Sequence, residues 1–189
     1  QGKRMKQLIL ASGSPRRKEI LEQVGMTFKV IPSQVEETIT KEIPAEIVME
    51  LSRQKAMDVY QQLGDESVIV LGADTVVAYD GKILGKPKDK QEAREMLAML
   101  SGEKHFVYTG VTLVTNKEEK TFYEETMVEF YPLSEGEIEA YIASGESMDK
   151  AGAYGIQGKA AAFIKGICGD YYNVVGLPIA SVMRNLQKM

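Results

Sequence analysis

Short apolar runs and helical stripes alternate along this chain, with glycine, proline and small polar residues marking the joins. Leu8-Ile9-Leu10-Ala11 is a brief apolar run of strand type, followed by Ser12-Gly13-Ser14-Pro15. Ser14 before Pro15 is a helix N-cap with proline at the first helical position, and Ile20, Leu21 and Val24 mark the apolar face of a short helix that Gly25 stops. Phe28 to Ile31 reads as a second strand ended by Pro32. It delivers Ser33-Gln34-Val35-Glu36-Glu37 to a loop. Pro44 opens a long helix to about Leu63, in which Ile47, Leu51, Val59 and Leu63 recur every four or eight residues. Lys55 falls inside that stripe. It either snorkels out along its methylenes or points its ammonium at an anion.

Ser67 to Leu71 is continuously apolar, the mark of a strand covered on both faces, and is expected to end at Gly72-Ala73-Asp74-Thr75. A carboxylate at a strand's carboxyl end lies where open α/β sheets bind ligands, which makes Asp74 a catalytic candidate. Val76 to Tyr79, the turn Asp80-Gly81 and Lys82 to Leu84 predict a hairpin, which hands the chain to Gly85-Lys86-Pro87. Asp89 and Glu92 cap a helix carrying Ala93, Met96, Leu97 and Leu100. Lys104 to Asn116 and Thr121 to Tyr131 read as paired strands, with His105, the only histidine, as a strand residue. Ser134 and Glu137 start a helix with Ile138, Tyr141 and Ile142 inward. Residues 148–158 show neither periodicity, and Gly152, Gly155 and Gly158 there suit close backbone approach to a ligand or a flexible connector. Ala160 to Ile167 and Tyr171 to Val175 are expected to pair as a hairpin through Gly169-Asp170. A last helix follows Pro178.

Composition narrows the function classes. With 189 residues, 44% hydrophobic and 26% charged, the chain suits one globular α/β domain, taken as residues 5–189. Residues 1–4, ahead of Met5, read as a remnant of expression. A net charge of -4 offers no broad footprint for duplex nucleic acid, so affinity for phosphate must come from a local cluster. The single cysteine, Cys168, excludes an internal disulfide and a thiolate zinc cage, and no apolar run has membrane-spanning length. The expected setting is the cytoplasm, away from membranes.

The loop at residues 11–17 resembles a phosphate cradle. Free backbone N–H groups and the positive end of the helix dipole attract an anion there, and Arg16 and Arg17 add forked donors. A capped surface helix with solvated arginines has the same local pattern. Walker-type, dinucleotide-fold, zinc-protease and nucleophile-elbow motifs are all missing. The chain instead carries Ser12, Arg16, Arg17, Lys55 and Lys86 as phosphate-seeking donors and Glu36, Glu37 and Asp74 as carboxylates. That mixture suits phosphoanhydride chemistry with Mg²⁺ or Mn²⁺, because hard divalent cations bind through one or two carboxylates plus substrate phosphates.

Seven stretches resemble the Maf family in order and spacing: Leu8-Ile9-Leu10-Ala11-Ser12-x-Ser14-Pro15-Arg16-Arg17, Val35-Glu36-Glu37, Gln54-Lys55-Ala56, Gly72-Ala73-Asp74-Thr75, Gly85-Lys86-Pro87, Asp149 to Gly158, and Gly169-Asp170-Tyr171-x-Asn173-Val174-x-Gly176-Leu177-Pro178. The resemblance implies an α/β fold akin to inosine triphosphate pyrophosphatase, with a central mixed, twisted sheet flanked by helices, a ligand cleft and often a homodimer. It implies hydrolysis of a nucleoside triphosphate to the monophosphate and pyrophosphate. Arg16, Thr75 and Gln157 resemble the residues of the branch acting on dTTP and UTP. On this reading Asp74 accepts a proton from water or holds the metal, Glu36 shares the metal, and Ser12, Arg16, Arg17, Lys55 and Lys86 hold the triphosphate. Gln157 is expected to read the N3–H and O4 of uracil or thymine. Two rivals accompany it: a sister enzyme hydrolysing methylated guanosine triphosphate, and a non-catalytic nucleotide-binding regulator of septum formation.

Overall fold

The computed structural model describes residues 6–64 and 67–189, so the remnant expected at residues 1–4 lies outside the described residues. The strands are β1 (Gln7–Leu10), β2 (Phe28–Val30), β3 (Val68–Tyr79), β4 (Lys82–Leu84), β5 (Lys104–Val114), β6 (Glu119–Phe130) and β7 (Ile164–Cys168). The helices are α1 (Pro15–Gln23), α2 (Pro44–Leu63), α3 (Lys90–Leu100), α4 (Glu135–Ala143), α5 (Tyr171–Val175) and α6 (Ile179–Gln187). Among the described residues the strands form one sheet in the order β2-β1-β3-β5-β6-β7, with β4 also on β3. β1 is parallel to β2 and β3, whereas β4 and β7 run antiparallel to their neighbours, so the mixed α/β class is as expected. No helix among the described residues is long and apolar enough to cross a membrane.

The chain divides into two compact units. The first comprises the chain up to Asp74 together with residues 109–124 and 176–189, and the second comprises residues 75–108 and 125–175. In the first, Ile9, Ala11, Ala56, Val59, Val68, Val70 and Val114 form a buried cluster. Each Val or Ile fully buried there contributes roughly 1.5 to 3 kcal/mol. Two glycines set how closely α2 approaches the sheet. A Cβ on Gly72 would lie 2.5 Å from the Ser52 carbonyl oxygen and 2.7 Å from the Ala56 nitrogen, and one on Gly110 would lie 2.2 Å from the Val48 carbonyl oxygen. Only hydrogen fits at either position, which brings the helix backbone directly onto the strands.

β3 differs from the expectation. It does not stop after Leu71 but runs for 12 residues, so Asp74 lies within a strand. The β-prone run Val76 to Tyr79 keeps pairing with β4, and Gly72 lets the strand pass beneath α2 without interruption. Asp74 still lies three residues past Leu71, the last β3 residue paired with β1. Val24 and Leu63, placed on apolar faces by periodicity, are exposed at helix ends.

The second unit has its own core, in which Val77, Leu97, Leu100, Val128 and Phe130 are buried with Tyr141 and Tyr154. Asp80 (φ 48) and Gly81 (φ 75) both adopt left-handed conformations, the geometry of a two-residue hairpin turn. Ser134 and Glu137 form the expected reciprocal cap of α4. The hairpin expected after residue 160 is not formed. Lys159–Phe163 is a 3-10 helix, β7 pairs with β6, and Tyr171–Val175 is helical. Asp170 decides this by accepting the Tyr172 N–H at 2.8 Å, which starts a helical turn. Asn173 then turns inward and donates to the Val107 carbonyl at 3.0 Å and to Thr126 Oγ1 at 2.9 Å.

Candidate active site

The capped helix start expected after Ser12 forms as its sequence predicts. Ser14 Oγ accepts the Arg17 N–H at 3.4 Å and Pro15 opens α1. Ser12, nearly buried in the loop leaving β1, accepts the Ser14 N–H at 3.3 Å and Arg17 Nη1–H at 3.0 Å. Arg17 Nε donates to the Gly176 carbonyl at 2.8 Å. The arginine is thereby oriented from both ends of the sequence, by a serine five residues back and by the loop entering α6. Burial pulls its pKa from 12.5 down to about 10. Asp74 opposes the shift and the neighbouring Arg16 charge adds to it. The guanidinium stays charged at neutral pH.

Lys55 resolves the choice left open by its place in the α2 stripe. Its Nζ lies 2.8 Å from Asp74 Oδ1 and 3.1 Å from Glu37 Oε1, so the ammonium faces two carboxylates rather than solvent. Close approach at Gly72 makes this possible. Asp74 is two residues further along the same face of β3, and Lys55 stands beside Ala56 on the helix packed there. The second oxygen of Asp74 is buried and has no hydrogen-bond partner. A carboxylate oxygen withdrawn from water without a partner is costly, and a proton or a cation relieves it. That orphaned oxygen fits a hard divalent ion. Among the described residues no three His, Cys, Asp or Glu side chains are grouped to hold a metal, so an ion at Asp74 would need phosphate oxygens and water to complete its shell.

The first unit thus brings together Ser12, Arg16, Arg17, Lys55 and Asp74. It pairs Glu37 with Lys55, while Glu36 is the exposed neighbour of Glu37. Thr75, Lys86 and Gln157 belong to the second unit. Thr75 follows Asp74 on β3, Lys86 is exposed in the loop after β4, and Gln157 is exposed in a turn. The Gly152 N–H donates to the Gly85 carbonyl at 3.1 Å, which ties the glycine-rich segment to the loop carrying Lys86.

The three glycines of that segment are approached by the protein's own side chains. Added Cβ atoms would meet Val77 Cγ2 at 2.9 Å from Gly152, Lys150 Cε at 2.6 Å from Gly155 and Glu146 Oε2 at 2.4 Å from Gly158. These contacts pack the segment against the protein rather than leaving it a loose connector. Tyr141 Oη accepts the Gly155 N–H at 3.3 Å, and burial pushes that phenol up to about 12. His105 is a strand residue of β5, as expected. It is fully buried, its Nε2 is 2.6 Å from Tyr154 Oη, and its ring stands edge-on to Phe130 and Tyr154. A lone histidine in a strand carries no sequence signal for this role, because Tyr154 lies 49 residues away.

A profile of the Maf-like protein family matches residues 7–189. This chain belongs to that family. Among relatives of the Maf-like chain, the dTTP/UTP pyrophosphatase of Agathobacter rectalis is 55% identical over 201 residues, covering 98% of each chain. The dTTP/UTP pyrophosphatase of Bacillus cytotoxicus is 58% identical over 185 residues, covering 97% of this chain and 96% of the relative. That of Bacillus cereus is 54% identical over 189 residues, covering 100% and 92%. Solved structures similar to the Maf-like chain include two at 14% identity. The Staphylococcus aureus Ham1 protein matches with a TM-score of 0.48 over 82% of this chain and 90% of its own. A Mycobacterium abscessus nucleoside-triphosphatase / dITP/XTP pyrophosphatase matches with a TM-score of 0.43 over 74% and 95%.

Proposed function

We propose that the protein hydrolyses the α–β phosphoanhydride of dTTP and UTP, yielding the monophosphate and pyrophosphate. The geometric observation that carries this reading is the buried Asp74 carboxylate, with one oxygen on Lys55 and the other unpartnered beside the cationic cradle. The names of relatives 54–58% identical over nearly the whole chain supply the substrate.

In this mechanism Asp74 Oδ2 accepts a proton from the attacking water, or would serve as a ligand to a divalent ion. Both uses require an ionised carboxylate near the α-phosphorus. Lys55 compensates that negative charge and holds Asp74 in place through Oδ1. Arg17, kept rigid by Ser12 and Gly176, meets the charge that builds on the departing pyrophosphate, with Arg16 and Lys86 as further phosphate donors. Asp74 and Glu36 would hold a divalent ion. When bound, Mg²⁺ or Mn²⁺ neutralises phosphate charge and lowers the pKa of coordinated water. Thr75 and Gln157 contact the pyrimidine. An amide side chain offers an acceptor for N3–H and a donor for O4.

A panel of nucleoside triphosphates incubated with Mg²⁺ or Mn²⁺ and assayed for pyrophosphate tests the reading. UTP and dTTP should give the highest kcat/KM. Preference for methylated guanosine triphosphate, release of orthophosphate, or binding without turnover would each overturn it.

A further inference from the structure

We infer that Glu50, Gln54 and Asp58 of α2 are positioning residues that set the register of the loop carrying Glu36 and Glu37. The inference rests on Lys55 and Asp74 being the reacting centre. Residues 31–43, between β2 and α2, have no regular secondary structure, and all of residues 36–43 are exposed. Ile31 packs against the core at the start of the stretch, but apolar burial does not hold residues 36–43: Ile39 and Ile43 are each 57% exposed. Three side chains of α2 hold it instead.

Asp58 Oδ2 accepts the Ser33 hydroxyl at 2.9 Å and the Gln34 N–H at 3.1 Å. Gln54 acts on both sides of one residue, accepting the Thr38 N–H at 3.0 Å and donating to the Thr38 carbonyl at 2.7 Å. That is the pair of bonds a neighbouring strand would supply. Glu50 accepts the Thr40 N–H at 3.0 Å and the Thr40 hydroxyl, and these bonds hold its carboxyl below the ordinary value. The three residues are four apart and so lie one above another on a single helix face. Ascending loop positions meet descending helix positions, so the loop runs antiparallel to α2.

The spacing selects the carboxylates. The Asp58 and Gln54 contacts bracket residues 35–37, leaving little slack between them, and Glu37 directly precedes the residue that Gln54 grips. Lys55, next to Gln54, takes the Glu37 carboxylate. One turn of α2 therefore fixes both the backbone at Thr38 and the side chain that reaches the Lys55–Asp74 pair. Groups that orient ligands of an ion typically change its affinity, or the activity, by about 10- to 100-fold when removed.

Gln54→Met keeps the side chain's length and removes both bonds, while Asp58→Ala and Asp58→Asn form a loss and rescue pair. Amide exchange at residues 34–40, calorimetric binding of Mn²⁺–UTP, the Mn²⁺ dependence of UTP hydrolysis and Tm would be measured in the full chain. In Gln54→Met, Thr38 exchange should quicken by at least about tenfold. The half-saturating Mn²⁺ concentration should rise about tenfold with kcat at saturation and Tm nearly unchanged. Asp58→Asn, which keeps an acceptor, should restore what Asp58→Ala loses. Unchanged Thr38 exchange would overturn the inference, as would faster exchange with parental Mn²⁺ dependence and binding. A parent chain that binds Mn²⁺–UTP without hydrolysing it would defeat the proposed function alone. The loop would then be judged on whether Gln54→Met weakens that binding. A parent that does not bind it defeats both.

Discussion

Two buried polar atoms without partners, Asp74 Oδ2 in the first unit and His105 Nδ1 in the second, look alike as hydrogen-bonding defects and differ in what surrounds them. Asp74 sits beside the Lys55 ammonium, with the Arg17 charge acting on it. His105 sits between the rings of Phe130 and Tyr154, where burial lowers its pKa from 6.5 to about 4 and keeps it neutral. An orphan among charges is a place for a ligand, because water or an ion lowers its energy where the compensating charges already stand. An orphan among rings is a place for packing. Perturbation and burial alone do not separate a site from a core.

The largest expected effect tests the charged side. Asp74→Asn keeps the side chain's size but neither accepts a proton at neutral pH nor holds a hard ion well, so kcat should fall by about 10² to 10⁴. Nucleotide binding, followed by calorimetry, should persist. Turnover near the parental level in a folded variant would remove Asp74 from the chemistry.

The neutral side should show itself in stability. The unfolded chain protonates His105 near pH 6.5 and the folded chain only near 4, so this contribution is complete above pH 6.5 and falls as pH drops toward 4. Between pH 7 and 4.5 the loss is about 2 kcal/mol. Urea midpoints at the two pH values would reveal it. Replacing both partners, His105→Leu with Tyr154→Phe, should flatten that part of the profile, and an equal slope in the double variant would reassign the loss.

Arg17→Ala should weaken kcat/KM by roughly ten- to a hundred-fold, the range for a charge-assisted hydrogen bond. UTP, CTP and GTP should suffer alike. A loss confined to one base would place Arg17 at the base rather than at phosphate. Gln157→Ala is the smallest change in rate and the sharpest in selectivity: the ratio of kcat/KM for UTP over CTP should fall toward one. An unchanged ratio would move base reading to another residue.

The strands β1 and β2, the helices α1 to α4 and the turn at Asp80-Gly81 are legible from local pattern, because caps, proline, glycine and periodicity all act within a few residues. The hairpin expected at residues 160–175 does not form, because the Asp170 side chain takes the Tyr172 N–H and starts a helical turn in place of the two-residue turn. The residue types of the candidate site were legible in the sequence. Ser12 with Arg17 and Lys55 with Asp74 make hydrogen-bonded pairs, and Asp74 acts electrostatically on Arg17. Glu37 rather than Glu36 on Lys55 was not legible, since two adjacent glutamates in a loop differ only in which way the backbone turns them.

By itself the sequence determined β1, β2, the helices α1 to α4, the capped loop at the start of α1 and the family, each carried by contacts or motifs short in chain length. Tertiary structure decided which way Lys55 points, that Gly176 orients Arg17 across 159 positions, and that Glu50, Gln54 and Asp58 grip the glutamate loop. The reason is distance along the chain. A residue's neighbours within a turn follow from its own sequence, but a partner tens of residues away is chosen by how closely α2 and β3 pack, and the bare backbone at Gly72 sets that approach.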